Sequence, residues 1–115
     1  MRRGKHRKFA RVKNQRKALY KALATALIDH GRIKTTLAKA KTTSSFVDKL
    51  VSKAKKADLS SQRSIREDIG EKATKKLMAD IGLKFKDRNG GYTKVLRLGR
   101  RTSDGAEMAL LEFTS

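Results

Sequence analysis

Hydrophobic and polar positions alternate along this chain in two rhythms, helical for most of its length and strand-like near its end. Leu19, Leu23 and Leu27 recur every four residues with Ala18, Ala22 and Ala26 beside them, which predicts a helix over 14–30. Asn14 is placed to cap its start, and His30-Gly31 reads as its stop. Arg32-Ile33-Lys34-Thr35 is short and β-prone. Leu37, Ala40, Val47, Leu50, Val51 and Ala54 then keep helical spacing over 37–57, with Phe46 at the stripe's edge and Thr36 as the cap.

Asp58-Leu59-Ser60-Ser61 reads as a break with capping residues. A short helix over 62–69 should stop at Gly70, and another over 71–81, with Ala73, Leu77, Met78 and Ile81 inward, at Gly82. Beyond Asp87-Arg88-Asn89-Gly90-Gly91, a turn, the runs 92–98 and 107–113 are β-rich. They predict an antiparallel pair with Arg100-Arg101 at the tip of the connecting loop. Helices packed on one face of a small sheet, in a single α+β domain over 14–115, is the architecture this order supports.

The first thirteen residues break both rhythms. Arg2, Arg3, Lys5, His6, Arg7, Lys8, Arg11 and Lys13 crowd this segment, no acid precedes Asp29, and only Phe9 and Val12 are core-forming. A segment so charged buries too little apolar surface to fold alone, so 1–13 is expected to be an arm ordered by a partner. Charge then names the partner class. Thirty Lys+Arg against eleven Asp+Glu give a net charge of +19 in 115 residues, and self-repulsion of that size calls for a polyanion.

Candidate phosphate-binding groups extend beyond the arm. Arg16 continues its basic surface onto the first helix, together with Lys17 and Lys21. Lys34-Thr35-Thr36, followed by Lys39 and Lys41, crosses from strand to helix start, where hydroxyls, free N–H groups and lysines suit an anion. Arg88, Asn89, Gly90 and Gly91 could let backbone approach a phosphate; Tyr92 could stack on a base, although a core position suits it better. Lys94, Arg100 and Arg101 complete the set. With few aromatics, recognition should rest on backbone and shape.

Other classes find little support. The chain has no cysteine, and His6 and His30 stand too far apart to suggest a metal site, so no cofactor or metal is expected. Glu71–Lys75 and Asp80–Lys84 read as helical ion pairs, and neither a paired-acid site nor a Ser/His/Asp arrangement can be assembled; no enzyme or small-molecule substrate is expected. No apolar run approaches the roughly 20 residues of a membrane span, so a cytoplasmic protein with no membrane partner is expected. A duplex-DNA binder lacks its helix-turn-helix spacing, and a membrane-active helix would need a stronger apolar face.

Three motifs in register carry a resemblance. Ile33-Lys34-Thr35-Thr36 with Lys39-Ala40-Lys41, Arg88 with Gly90-Gly91-Tyr92-Thr93-Lys94, and Arg101 through Asp104, Ala106, Met108-Ala109 and Glu112 resemble the family of bacterial large-subunit ribosomal protein seventeen. The likeness runs the whole chain, from a Met-Arg-led basic start onward. It departs at Ala38, where the family commonly has Pro, at Thr42, where it has Glu, and at Lys13-Asn14-Gln15-Arg16. The resemblance implies a small three-stranded mixed sheet packed on helices, and a non-catalytic role in subunit assembly and translation. It also implies binding to large-subunit ribosomal RNA near the nascent-chain tunnel exit, neighbouring large-subunit proteins as secondary partners, and one copy per ribosome.

Overall fold

The computed structural model describes residues 13–56 and 58–114. Its elements are α1 (Lys13–His30), β1 (Arg32–Thr36), α2 (Leu37–Lys56), α3 (Leu59–Ile69) and α4 (Glu71–Lys76). A π-helical turn (Leu77–Ile81) carries α4 into α5 (Gly82–Lys84), and the hairpin strands β2 (Thr93–Arg100) and β3 (Glu107–Phe113) follow. The α+β order read from the sequence holds.

The sheet order is β1-β3-β2, and both pairings are antiparallel. This corrects the mixed sheet that the resemblance implied. β1 and β2 do run the same way, but the returning arm of the hairpin lies between them, so no parallel pair forms. Ile33, Leu111 and Val95 share one row of the register, and Thr35, Ala109 and Arg97 another. Because side chains alternate, this face, with buried Ala109 and Leu111, turns to the helices. The opposite face carries Arg32, Lys34, Lys94, Leu96, Met108, Leu110 and Glu112.

α2 lies across the inner face and also packs on α1 and α3. All six of its expected inward positions are buried, and Phe46 is half-buried with its ring 6.0 Å from that of Tyr20. Leu27, Leu50, Ile65, Leu77 and Leu111 fill one continuous core. Truncating any of them to Ala costs about 2–5 kcal/mol, because the space left behind closes only in part.

Several element details differ from the sequence reading. Asn14 is already inside α1, and the buried line of that helix is Ala24, Leu27 and Ile28, while Ala18 and Ala22 are exposed. A strict four-residue repeat drifts around a helix of 3.6 residues per turn, and the core follows the 3–4 spacing instead. Asp58 alone forms the described part of the break: its carboxylate accepts from Ser61 N at 2.7 Å, so α3 begins at Leu59. Gly31 and Gly70 do end their helices, at φ 82° and 85°.

Gly82 does not end one. Its φ is −59°, its N–H reaches back five residues to Leu77 O, and the helix continues to Lys84. A Cβ there would sit 3.4 Å from Leu77 O and 3.6 Å from Ala54 Cβ, ordinary contact distances, so this position packs on α2 with room for a methyl. Among the described residues neither Glu71–Lys75 nor Asp80–Lys84 forms an ion pair. Asp80 lies inside the π-helical turn, where four-residue spacing no longer aligns side chains.

Candidate nucleic-acid interface

β1 runs without a linker into α2, and this junction is the first place where candidate residues meet. Thr36 Oγ1 accepts from Lys39 N at 3.5 Å, a capping contact that leaves an acid-free first turn. Lys39 is half-buried and Lys41 exposed beside it, and neither has an acid partner among the described residues. An open cleft of ≈ 460 Å³ runs from Thr36 and Lys41 to Ala106 and Glu107 of the hairpin. Thr35 is half-buried on the inner face opposite Ala109, and Lys34 stands on the outer face.

The hairpin brings Arg100 and Arg101 to the same end of the sheet, but they are not at its tip. Arg100 ends β2, Arg101 N donates to Ala106 O at 2.8 Å, and Thr102–Asp104 form the turn itself. Both guanidiniums are engaged within the hairpin. Arg101 grips Asp104 through two hydrogen bonds of 2.9 and 2.7 Å, while Arg100 donates to Gly105 O at 2.9 Å and faces Glu107 at 3.4 Å. The Arg101 clasp, helped by Ala106 N–H, holds the Asp104 carboxyl down at about 2.

Arg88, Asn89, Gly90 and Gly91 lie at the other end, beside the start of β2. One end of the sheet is separated from the other by roughly 20 Å, the run of a seven-residue strand. Arg88 Nε donates to Gly90 O at 3.0 Å, and Gly90 and Gly91 take φ of 147° and 60°, as the turn reading required. Tyr92 is a core residue: it is 3 % exposed, its ring packs 5.3 Å from that of Phe85, and it is closed to a base. Lys94 is paired with Glu112 at 3.3 Å.

Lys13 and Arg16 are on α1, with Lys17 and Lys21 on the same helix. The cleft of ≈ 280 Å³ next to Lys17 and Lys21 is also lined by Glu67 and Asp68, which offset the lysines there. Arg2, Arg3, Lys5, His6, Arg7, Lys8 and Arg11 lie outside the described residues.

Sequence reasoning missed Lys55. From the last turns of α2 its ammonium donates to Arg88 O and to Tyr92 Oη, the latter at 3.0 Å, and so anchors the 88–92 loop. No local signal marks it, because its partners are 33 and 37 residues away. Arg32, exposed on β1, was also passed over as a site residue. Among the described residues no helix is long and apolar enough to cross a membrane, and no three His, Asp or Glu gather as metal ligands.

Comparison with known proteins adds an independent line. The family described as ribosomal protein L17 matches residues 19–114. The large ribosomal subunit protein bL17 of Campylobacter jejuni subsp. doylei is 44% identical over 111 residues, covering 96% of this chain and 95% of the relative. The protein of the same description from Hyphomonas neptunium is 46% identical over 109 residues, covering 94% and 78%, and that of Nautilia profundicola 42% over 113, covering 94% and 93%.

Proposed function

The chain belongs to the ribosomal protein L17 family, and from that premise we propose that it binds ribosomal RNA as a structural, non-catalytic component of the large subunit in the bacterial cytoplasm. The carrying observation is the set of cations, around the β1–α2 junction and at the start of α1, that have no acid partner among the described residues. Lys39 and Lys41 stand at an acid-free helix start, and Lys13 and Arg16 extend the surface along α1 toward the basic arm. Such groups meet phosphates by charge and helix dipole together, and release counterions as they do. The Lys and Arg residues of 1–13 add further charge for phosphates, and neutralising them offsets the self-repulsion of a +19 chain.

The chemistry of contact is phosphate-directed. Tyr92 is buried, and the hairpin arginines are committed to Asp104, Gly105 and Glu107, so base reading has a minor share. A site near the nascent-chain tunnel exit, one copy per ribosome and protein neighbours there follow from the family resemblance.

Sedimentation of a lysate through a sucrose gradient, with a high-salt wash, tests the reading. Near-stoichiometric presence of the chain in washed large subunits is expected. Release at mild salt, or co-sedimentation with chromosomal DNA, replaces it with a general polyanion binder.

A further inference from the structure

The outer face of the sheet is not covered by any described part of the chain, and its centre is aliphatic. Lys34, Leu110 and Leu96 form one row across the three strands, with Met108 next along β3. Leu96 is 43 % exposed; Leu98, the extra residue of the irregularity between Arg97 and Gly99, is 49 % exposed and lengthens the apolar strip along β2. Apolar surface grouped in this way and rimmed by polar residues marks an interaction site.

The rim decides the kind of partner. In the next row Glu112 lies between Arg32 and Lys94 and is paired with Lys94 at 3.3 Å. Arg32 and Lys34 are left on the β1 side with no acid partner among the described residues. A phosphate backbone satisfies the rim but cannot dehydrate leucines, and no aromatic ring stands on this face for a base to stack on. A second copy would bring another +19 onto a basic rim.

We infer that this face, centred on Leu96 and Leu110, docks a neighbouring protein of the large subunit. The partner lays an apolar segment over the leucines and sets a carboxylate against Arg32 and Lys34. The inference rests on the ribosomal reading above and assigns the protein contact to the sheet, leaving the RNA contacts to α1 and the β1–α2 junction. Both β1 and β2 are edge strands, so the segment reaches the patch from either side.

The test places the photo-crosslinking residue benzoylphenylalanine at position 96 of the full chain, assembled in cells, and irradiates salt-washed large subunits. A single protein adduct is expected, with a crosslinked peptide that combines apolar residues with Asp or Glu. The same probe at position 59, exposed on α3, should not give it. Adding Lys34→Glu should lower its yield about tenfold through like-charge repulsion. Adducts to RNA alone, adducts to a second copy, or no adduct from subunits that contain the chain each overturn the docking inference. Absence of the chain from the subunits overturns the ribosomal reading beneath it, an outcome read separately on the same gradient.

Discussion

The ammonium of Lys55 lies 3.0 Å from the Tyr92 hydroxyl and 5.1 Å from the centre of the Tyr92 ring, and both side chains donate to the carbonyl of Arg88. One helix residue thus fixes a loop far along the chain, and the hydrogen bond from Lys55 is the main influence holding the Tyr92 hydroxyl below the ordinary tyrosine range. Lys55→Met removes the charged donor and keeps the aliphatic stem. It should cost about 1–2 kcal/mol in urea unfolding and speed amide exchange across 88–92, whereas Lys55→Arg should recover part of the loss. Unchanged exchange in the Met variant would mean that Tyr92 holds the loop alone.

Gly82 offers a stability gain. Its helical φ and the 3.4–3.6 Å spacing to Leu77 O and Ala54 leave room for a methyl and nothing larger. Gly82→Ala should therefore stabilise by about 0.5–1 kcal/mol, through helix propensity and a stiffer unfolded chain. Gly82→Leu should cost about 1–3 kcal/mol by overpacking against α2. Thermal melts of both variants check the pair, and a loss with Ala would show that the π-helical turn needs glycine itself.

The helix and strand rhythms were legible because they repeat within a few residues. α2 and β3 were placed to within a residue over their described lengths, since their inward positions Val47, Leu50, Ala109 and Leu111 repeat with clean periods. Gly82 was misread because a glycine that stops a helix and one carried inside it look alike until the backbone, here with a helical φ of −59°, is known. Distance in sequence hid Lys55 from its partners Arg88 and Tyr92. Lysine and arginine counts pointed to a polyanion partner but could not separate Lys41, which has no acid partner among the described residues, from Arg101, which is bound to Asp104. Charge is additive along a chain, whereas pairing is a property of the fold.

Asp48 sets a pH dependence of stability. Burial pushes its carboxyl above the ordinary range, against the opposing pull of hydrogen bonds from Thr93, whose hydroxyl also meets Ser44 at 2.6 Å. A raised folded-state pKa favours the protonated form, so this contribution is present below the unfolded value near 3.8 and is lost as pH rises through the folded value. Asp48→Asn keeps an acceptor for Thr93 without the charge. It should stabilise the protein near neutral pH by less than about 1 kcal/mol, because solvent screens a partly exposed carboxylate, and the advantage should vanish below about pH 3.5. Urea midpoints at the two pH values give the answer; a loss in the Asn variant at neutral pH would show that the charged form is the better partner for Thr93.

Lys41 and Arg101 stand at the same end of the sheet and should answer differently to RNA. Each lysine that neutralises a phosphate steepens the fall of affinity with salt by about one unit of slope. Lys39→Ala with Lys41→Ala should weaken binding of a large-subunit ribosomal RNA fragment and flatten the slope by about two. Arg101→Ala removes the clasp on Asp104 instead, so it should loosen the hairpin and leave the slope nearly unchanged. Its loss should also raise the Asp104 carboxyl from about 2 toward the ordinary value. Filter binding across a salt series, beside titration of Asp104 by NMR, separates the two roles. A slope lowered by Arg101→Ala and untouched by the double lysine variant would move the phosphate contacts from the helix start to the hairpin.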